Sequence, residues 1–225
     1  FAFCYKIPDG KGPCVNVQSE LTAYNFAGDY TAWFYNGENH NIGPEKLTET
    51  DGTRLPVMTV KAGDKHYMAI HEACLETGAP LVLQSKGGES LFSVASKPTS
   101  LSPGYTSAWR VVLYGTTPGV LTDSHLLELL NPDPDSRYDF SWVKPGLAVW
   151  DWRINGAVWD GFTYGMSYPS WVRMVDFAAE QGFKYLVLDA NWYGPEFESD
   201  SDPVKGEKAQ DVQRLLKYGK EKGVG

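Results

Sequence analysis

The stretch SYPSWVRMVDFAAEQGFKYLVLDA, Ser167 to Ala190, decides how the second half of this chain folds. Ser167 is a side chain suited to a helix start, and Trp171, Val172, Val175, Ala178 and Ala179 then recur at helical spacing. Gly182 ends the run where a left-handed residue is wanted. KYLVLDA follows, apolar on both faces, as expected of a strand covered by helices. Upstream, LAVWDW (147–152) is a second candidate strand. Downstream, EKAQDVQRLLKYGKEKG (207–223) predicts another helix with Val212, Leu215, Leu216 and Gly219 facing inward, and the Val224-Gly225 pair opens a third strand. Strand, helix, strand, helix is the pattern of parallel β/α units.

Residues before about 140 read differently. FAFCYKI (1–7), NVQSELTAYNF (16–26), LPVMTVKAG (55–63), HYMAIHEACL (66–75), APLVLQS (79–85), SLFSVASK (90–97) and AWRVVLYG (108–115) are short runs separated by Gly, Pro, Asn and Asp. Seven such runs predict an antiparallel β-sandwich. LTDSHLLELLNP (121–132) departs from them, with helical spacing and an Asn-Pro stop, and predicts a short closing helix. The expected organisation is therefore a β-sandwich over 1–140 and two β/α units over 141–225. Two units cannot close a sheet, and a (β/α)8 barrel takes about 250 residues, so the second domain is expected to be incomplete.

Composition narrows the function. Among 225 residues, 42% are hydrophobic and 14% aromatic, which argues for a real core. The net charge of -8, with no basic run, argues against nucleic acid or an anionic membrane as partner. No apolar run is long enough for a membrane helix. Cys4, Cys14 and Cys74 match no metal spacing, and Cys4 and Cys14 flank the turn IPDGKGP, where a hairpin would bring them together. His40, His66, His71 and His125 contain no pair at zinc spacing. Neither a nucleophile elbow nor a phosphate loop is present.

In parallel β/α folds, ligands sit at the carboxyl ends of the strands. Those ends hold Trp150, Asp151, Trp152 and Trp159 in one case and Asp189, Asn191, Trp192 and Tyr193 in the other. Carboxylates beside indoles suit a sugar, whose C–H face stacks on aromatics while its hydroxyls need polar partners. Trp150, Trp152, Asp189 and Trp192 are the candidate substrate-binding residues. The plain alternative is that the tryptophans fill the interior. Asp151 and Asp189 on neighbouring strands could approach the spacing of a glycosidase acid and nucleophile, but alternation along AVWDW points Asp151 away from Trp150 and Trp152, toward the helices. ESDSDP (198–203) is rich in oxygens yet lacks the glycine and distal glutamate of an EF-hand loop, and reads as a solvated loop.

WRVVLYG (109–115), LLNPDPD (129–135), DFSWVKPGLAVWDW (139–152) and VDFAAEQGFKYLVLDANWYG (175–194), in this order, resemble glycoside hydrolase family 97. FAAEQGFKYLVLD alone would also suit related barrel α-galactosidases, but the β domain with EACL (72–75) is similar to family 97. The resemblance implies an amino-terminal β-supersandwich, the start of a catalytic (β/α)8 barrel, cleavage of terminal α-glucosidic or α-galactosidic bonds in oligosaccharides, and a calcium ion. It also implies that Glu72 reaches the barrel mouth as a calcium ligand, with His71 facing the other way. Read without the resemblance, Glu72 is a solvated strand residue. The family's catalytic acid and its base or nucleophile are expected beyond Gly225, so no catalytic residue is assigned, and this chain alone is expected to be inactive. The loop WDWRINGAVWDG departs from the family pattern and is expected to reshape the sugar subsite. The expected compartment is the periplasm or the exterior. The rival from another class is a noncatalytic carbohydrate-binding sandwich.

Overall fold

The computed structural model describes residues 1–37 and 41–225; His40 lies outside them. The chain forms two compact units, Phe1–Asp135 and Ser136–Gly225.

The first unit contains β1 (Ala2–Phe3), β2 (Val15–Val17), β3 (Ala23–Asn25), β4 (Thr31–Tyr35), β5 (Asn41–Lys46), β6 (Asp51–Lys61), β7 (Tyr67–Ala73), β8 (Leu83–Lys86), β9 (Leu91–Val94), β10 (Thr99–Leu101) and β11 (Trp109–Gly115). Two short helices follow, α1 (Pro118–Thr122) and α2 (Leu126–Leu130). Nine of the strands form one sheet in the order β1-β11-β7-β6-β8-β9-β3, with β4 against β6 and β5 against β4. All of its pairings are antiparallel. β2 and β10 pair separately.

The long strand β6 makes this sheet two-layered. Its Met58–Lys61 half pairs with β7, while its Asp51–Arg54 half pairs with β8. Pro56 sits at the changeover, where a residue without an N–H costs no ladder bond. Inward side chains from both halves meet: Ala32, Phe34, Met58, Val60 and Ile70 from one, Leu83, Phe92 and Val94 from the other. Burying a Phe or Ile side chain contributes roughly 1.5–3 kcal/mol, so this cluster sets the fold of the unit. On the outer side, Leu121, Leu126, Leu127 and Leu130 of the helical segment cover Ala69, Ala73, Val111 and Leu113. The segment expected to be one short helix is thus two, starting at Pro118. Cys4 and Cys14 are free, because β1 pairs with β11 and β2 with β10, so their turn joins no hairpin.

The second unit contains β12 (Ala148–Trp150), the hairpin β13 (Val158–Trp159) and β14 (Phe162–Thr163), α3 (Tyr168–Gln181), β15 (Tyr185–Val187) and α4 (Ala209–Lys222). β12 and β15 pair in parallel. Gly225 then donates to Lys184 O at 2.8 Å and accepts from Leu186 N–H at 2.9 Å, the two bonds of a parallel pair around Tyr185, as expected of a third strand. Trp171, Met174, Val175 and Ala178 of α3 pack with Val212 and Leu215 of α4. Leu216, expected to face inward, is 67% exposed. It lies on the edge of the same stripe, but there it borders an open apolar groove with Leu186, Leu188 and Gly225. No helix among the described residues is long and apolar enough to cross a membrane.

Candidate functional site

In the second unit the chemistry gathers where β12 and β15 end. Asp151, the first residue after β12, is fully buried. Its Oδ2 accepts from Trp171 Nε1 at 2.9 Å and its Oδ1 from the Asp189 backbone N–H at 3.0 Å. A buried carboxylate needs donors, and these two occupy both oxygens. Asp151 therefore ties α3 and the end of β15 to β12, as alternation along AVWDW suggested, and it is no partner for Asp189 in acid and nucleophile chemistry.

Asp189 is the partly exposed carboxylate of this site. Trp150 donates its indole N–H to Asp189 Oδ2 at 2.6 Å, so two of the four predicted substrate residues are brought together. The Arg153 guanidinium lies over the Trp150 ring at 4.8 Å, which covers one ring face. Trp152 stands in a short 3-10 turn over Asp151–Ile154 and is 51% exposed. Trp192 packs on the α3–α4 core and meets Tyr193 edge-on at 5.5 Å. Trp159 projects from the β13–β14 hairpin, 74% exposed. That hairpin turns at Asp160-Gly161, both with positive φ, a tight-turn signal present in the sequence. Asp202 in ESDSDP is satisfied locally by Val204 N–H and Lys205, in keeping with a solvated loop.

The predicted metal ligand belongs to the first unit. Along β7, Met68 and Ile70 face the core, and alternation places Glu72 on that same face. Its side chain is only 12% exposed, so the solvated reading does not hold. Leu81 N–H donates to Glu72 Oε2 at 2.8 Å, and Arg110 Nη1 approaches the same oxygen at 3.4 Å. Arg110 is the cross-strand neighbour of Glu72 in the β11–β7 register. His71, on the other face, accepts the Glu72 backbone N–H at Nδ1, and burial holds its imidazole below the ordinary value.

Sequence reasoning missed Glu20 and Arg110. Arg110 Nε donates to Glu20 Oε1 at 2.9 Å and Nη2 to Oε2 at 2.7 Å. Burial pushes the Glu20 carboxyl up, but hydrogen bonds from Arg110 and Thr22 and the Arg110 charge together outweigh it and hold the carboxyl below its usual range. Tyr24 stands in the same cluster with its hydroxyl buried and unpartnered among the described residues; burial pushes it up to about 12. The available signal was an arginine inside the apolar run WRVVLYG, since a buried guanidinium requires a carboxylate. Among the described residues, no three His, Cys, Asp or Glu side chains gather as a metal site.

Comparison with known proteins accounts for both units. Residues 1–132 match the family profile described as Glycosyl-hydrolase 97 N-terminal, and residues 149–225 match Glycoside hydrolase 97. A retaining alpha-galactosidase of Bacteroides thetaiotaomicron is 28% identical over 88% of this chain and 33% of its own length. A probable retaining alpha-galactosidase of Streptomyces bingchenggensis is 28% identical over 100% of this chain and 35% of its own. The chain thus spans about a third of the length of these relatives. A family 97 enzyme of Pseudoalteromonas sp. strain K8, solved with acarbose, superposes with a TM-score of 0.75 at 26% identity, covering 99% of this chain and 37% of the other; a variant of it was solved with panose. A beta-arabinopyranosidase at 19% identity shares the fold with a TM-score of 0.72. With the first profile alone covering more than half of its residues, the chain belongs to glycoside hydrolase family 97.

Proposed function

We propose that the protein is a glycoside hydrolase cleaving terminal α-galactosidic or α-glucosidic bonds of oligosaccharides, and that the second unit is the start of its (β/α)8 barrel. The observation that carries this reading is the Asp189 carboxylate at the end of a parallel strand, held by the Trp150 indole at 2.6 Å. With one oxygen fixed, Asp189 is aimed to accept a hydrogen bond from a sugar hydroxyl. One face of Trp150 is covered by Arg153, so Trp150 orients Asp189, while Trp152 and Trp192 shape the aromatic side of the mouth. The relatives named as alpha-galactosidases and the oligosaccharide complexes of a similar enzyme support this substrate class. Export to the periplasm or beyond fits such a substrate.

Calcium is part of the proposal, with Glu72 as one of its ligands. Glu72 Oε2 is taken by Leu81 N–H and Arg110, whereas Oε1 has no hydrogen bond among the described residues. One carboxylate oxygen without a hydrogen bond suits a single position in the shell of six to eight hard oxygens that calcium takes. Bound there, calcium would supply positive charge to polarise the sugar oxygens.

Two variants of the full-length protein test the reading. Asp189→Asn should lower kcat/KM on an aryl α-galactoside or α-glucoside by roughly 10- to 100-fold, the loss of one charged hydrogen bond. Glu72→Gln should weaken calcium binding by about tenfold or more in calorimetry. Asp189→Asn with parental kcat/KM on both substrates would remove the sugar-site assignment.

A further inference from the structure

We propose that Glu20 and Arg110 are positioning residues for Glu72: Glu20 absorbs the charge of Arg110, so that the Glu72 carboxylate keeps its own charge for a bound cation. This deepens the calcium reading of Glu72 and rests on it.

Three side chains from separate parts of the sequence meet in the first unit. Arg110 is 4% exposed, and its two carboxylate partners are nearly as shielded, at 16% for Glu20 and 12% for Glu72. The two contacts are unequal. Glu20 takes Arg110 side-on, through Nε and Nη2, at 2.9 and 2.7 Å. This bidentate geometry is the strong form of the arginine–carboxylate pair. Glu72 receives only Nη1, at 3.4 Å, on the oxygen that already accepts Leu81 N–H. The cation is therefore neutralised from the Glu20 side.

The charge count shows why this matters for a metal. Two carboxylates and one guanidinium leave the trio at about one negative charge. Were Arg110 to face Glu72 alone, the pair would be neutral, and a carboxylate committed to a buried arginine attracts a divalent cation poorly. Glu20 is itself fixed, since Thr22 Oγ1 donates to its Oε1 at 2.8 Å and its backbone N–H donates to Ser96 Oγ at 2.8 Å. Arg110 in turn holds Glu72 in place without claiming Oε1. Outer partners of this kind are known to orient metal-binding carboxylates.

Calcium binding by the full-length protein, titrated with calcium ion alone in a calorimeter, tests the idea. Glu20→Gln keeps the shape but removes the charge, and should weaken calcium binding about tenfold. Its kcat should return toward the parental value at saturating calcium, because the chemistry itself is untouched. Glu20→Asp retains the charge and should stay much closer to the parent. In a Glu72→Gln background, Glu20→Gln should have no further effect on calcium affinity. Should Glu20→Gln fail to fold, Arg110→Lys serves instead: a point charge cannot hold Glu20 side-on and still reach Glu72, so affinity should again fall. Parental calcium affinity in either folded variant, whatever its melting temperature, overturns the proposal. Parental affinity in Glu72→Gln itself would instead remove the ligand assignment beneath it.

Discussion

Asp151 and Glu72 are shielded carboxylates, each held by donors from other parts of its own unit. Asp151 stands at the end of its strand beside Asp189, but alternation along AVWDW turns it toward the helices, and its contacts to Trp171 and the Asp189 backbone occupy both of its oxygens. Glu72 is the converse. The same alternation, counted from Met68 and Ile70, points it inward, although a lone charged strand residue reads as solvated. The missing knowledge was its partner: Glu20 lies 90 positions from Arg110 in the chain, and no local period reports such a pair. Asp151 also makes a prediction at this scale. Asp151→Ala should leave Trp171 Nε1 and the partly buried Asp189 N–H without their acceptor, costing about 2–6 kcal/mol in urea unfolding, at roughly 1–3 kcal/mol per orphaned donor. A loss below about 0.5 kcal/mol, the range of ordinary surface changes, would show that the carboxylate holds nothing together.

Secondary elements were legible where their signals were local. α3 begins after Ser167 and ends at Gly182, whose φ of 71° is the left-handed cap expected of it. Phe183 N–H to Ala178 O and Gly182 N–H to Ala179 O close the helix, and α4 repeats the arrangement with Val224, Gly219, Gly223 and Lys220. Each helix thus exits into a strand by the same turn. β4 and β5 went unread, β5 because it contains Gly43 and Pro44, which read as punctuation. Gly219 of α4 stands where α3 has Ala178, and it and the cap glycine Gly182 respond differently to an added methyl. A Cβ at Gly182 would meet open space, so Gly182→Ala should cost only the left-handed backbone, about 1–2 kcal/mol. A Cβ at Gly219 would stand 2.8 Å from Val224 O, a backbone atom that cannot swing aside. Gly219→Ala should therefore destabilise despite the roughly 1 kcal/mol that alanine gains in a helix. It should also speed hydrogen exchange at Leu186, whose N–H bonds Gly225 O. Unchanged exchange there would mean that the turn accommodates the methyl without shifting the strand.

Each unit of the molecule carries its own charged fastening, and the two differ in depth. In the first, Glu20 and Arg110 are shielded; in the second, Lys222 of α4 reaches Asp176 of α3 at 2.7 Å with both side chains more than a third exposed. The hydrogen bond from Lys222, then that from Tyr218, holds the Asp176 carboxyl below its usual range, as Arg110 and Thr22 do for Glu20 against burial. A carboxyl depressed in the folded state stabilises above its unfolded pKa and loses that contribution as pH falls through the folded value. Both fastenings should therefore weaken on acidification through and below the carboxylate range, and Asp176→Asn and Glu20→Gln should each flatten the decline of melting temperature with falling pH. Salt separates them. At about 1 M ionic strength the Debye length shrinks to roughly 3 Å, which screens the exposed pair far more than the shielded one. In such salt, Asp176→Asn should follow the parent's acid profile, while Glu20→Gln should remain flatter than the parent. If high salt instead erases the Glu20→Gln difference, Arg110 and Glu20 are open to solvent, and the charge balance proposed for Glu72 is not protected by burial.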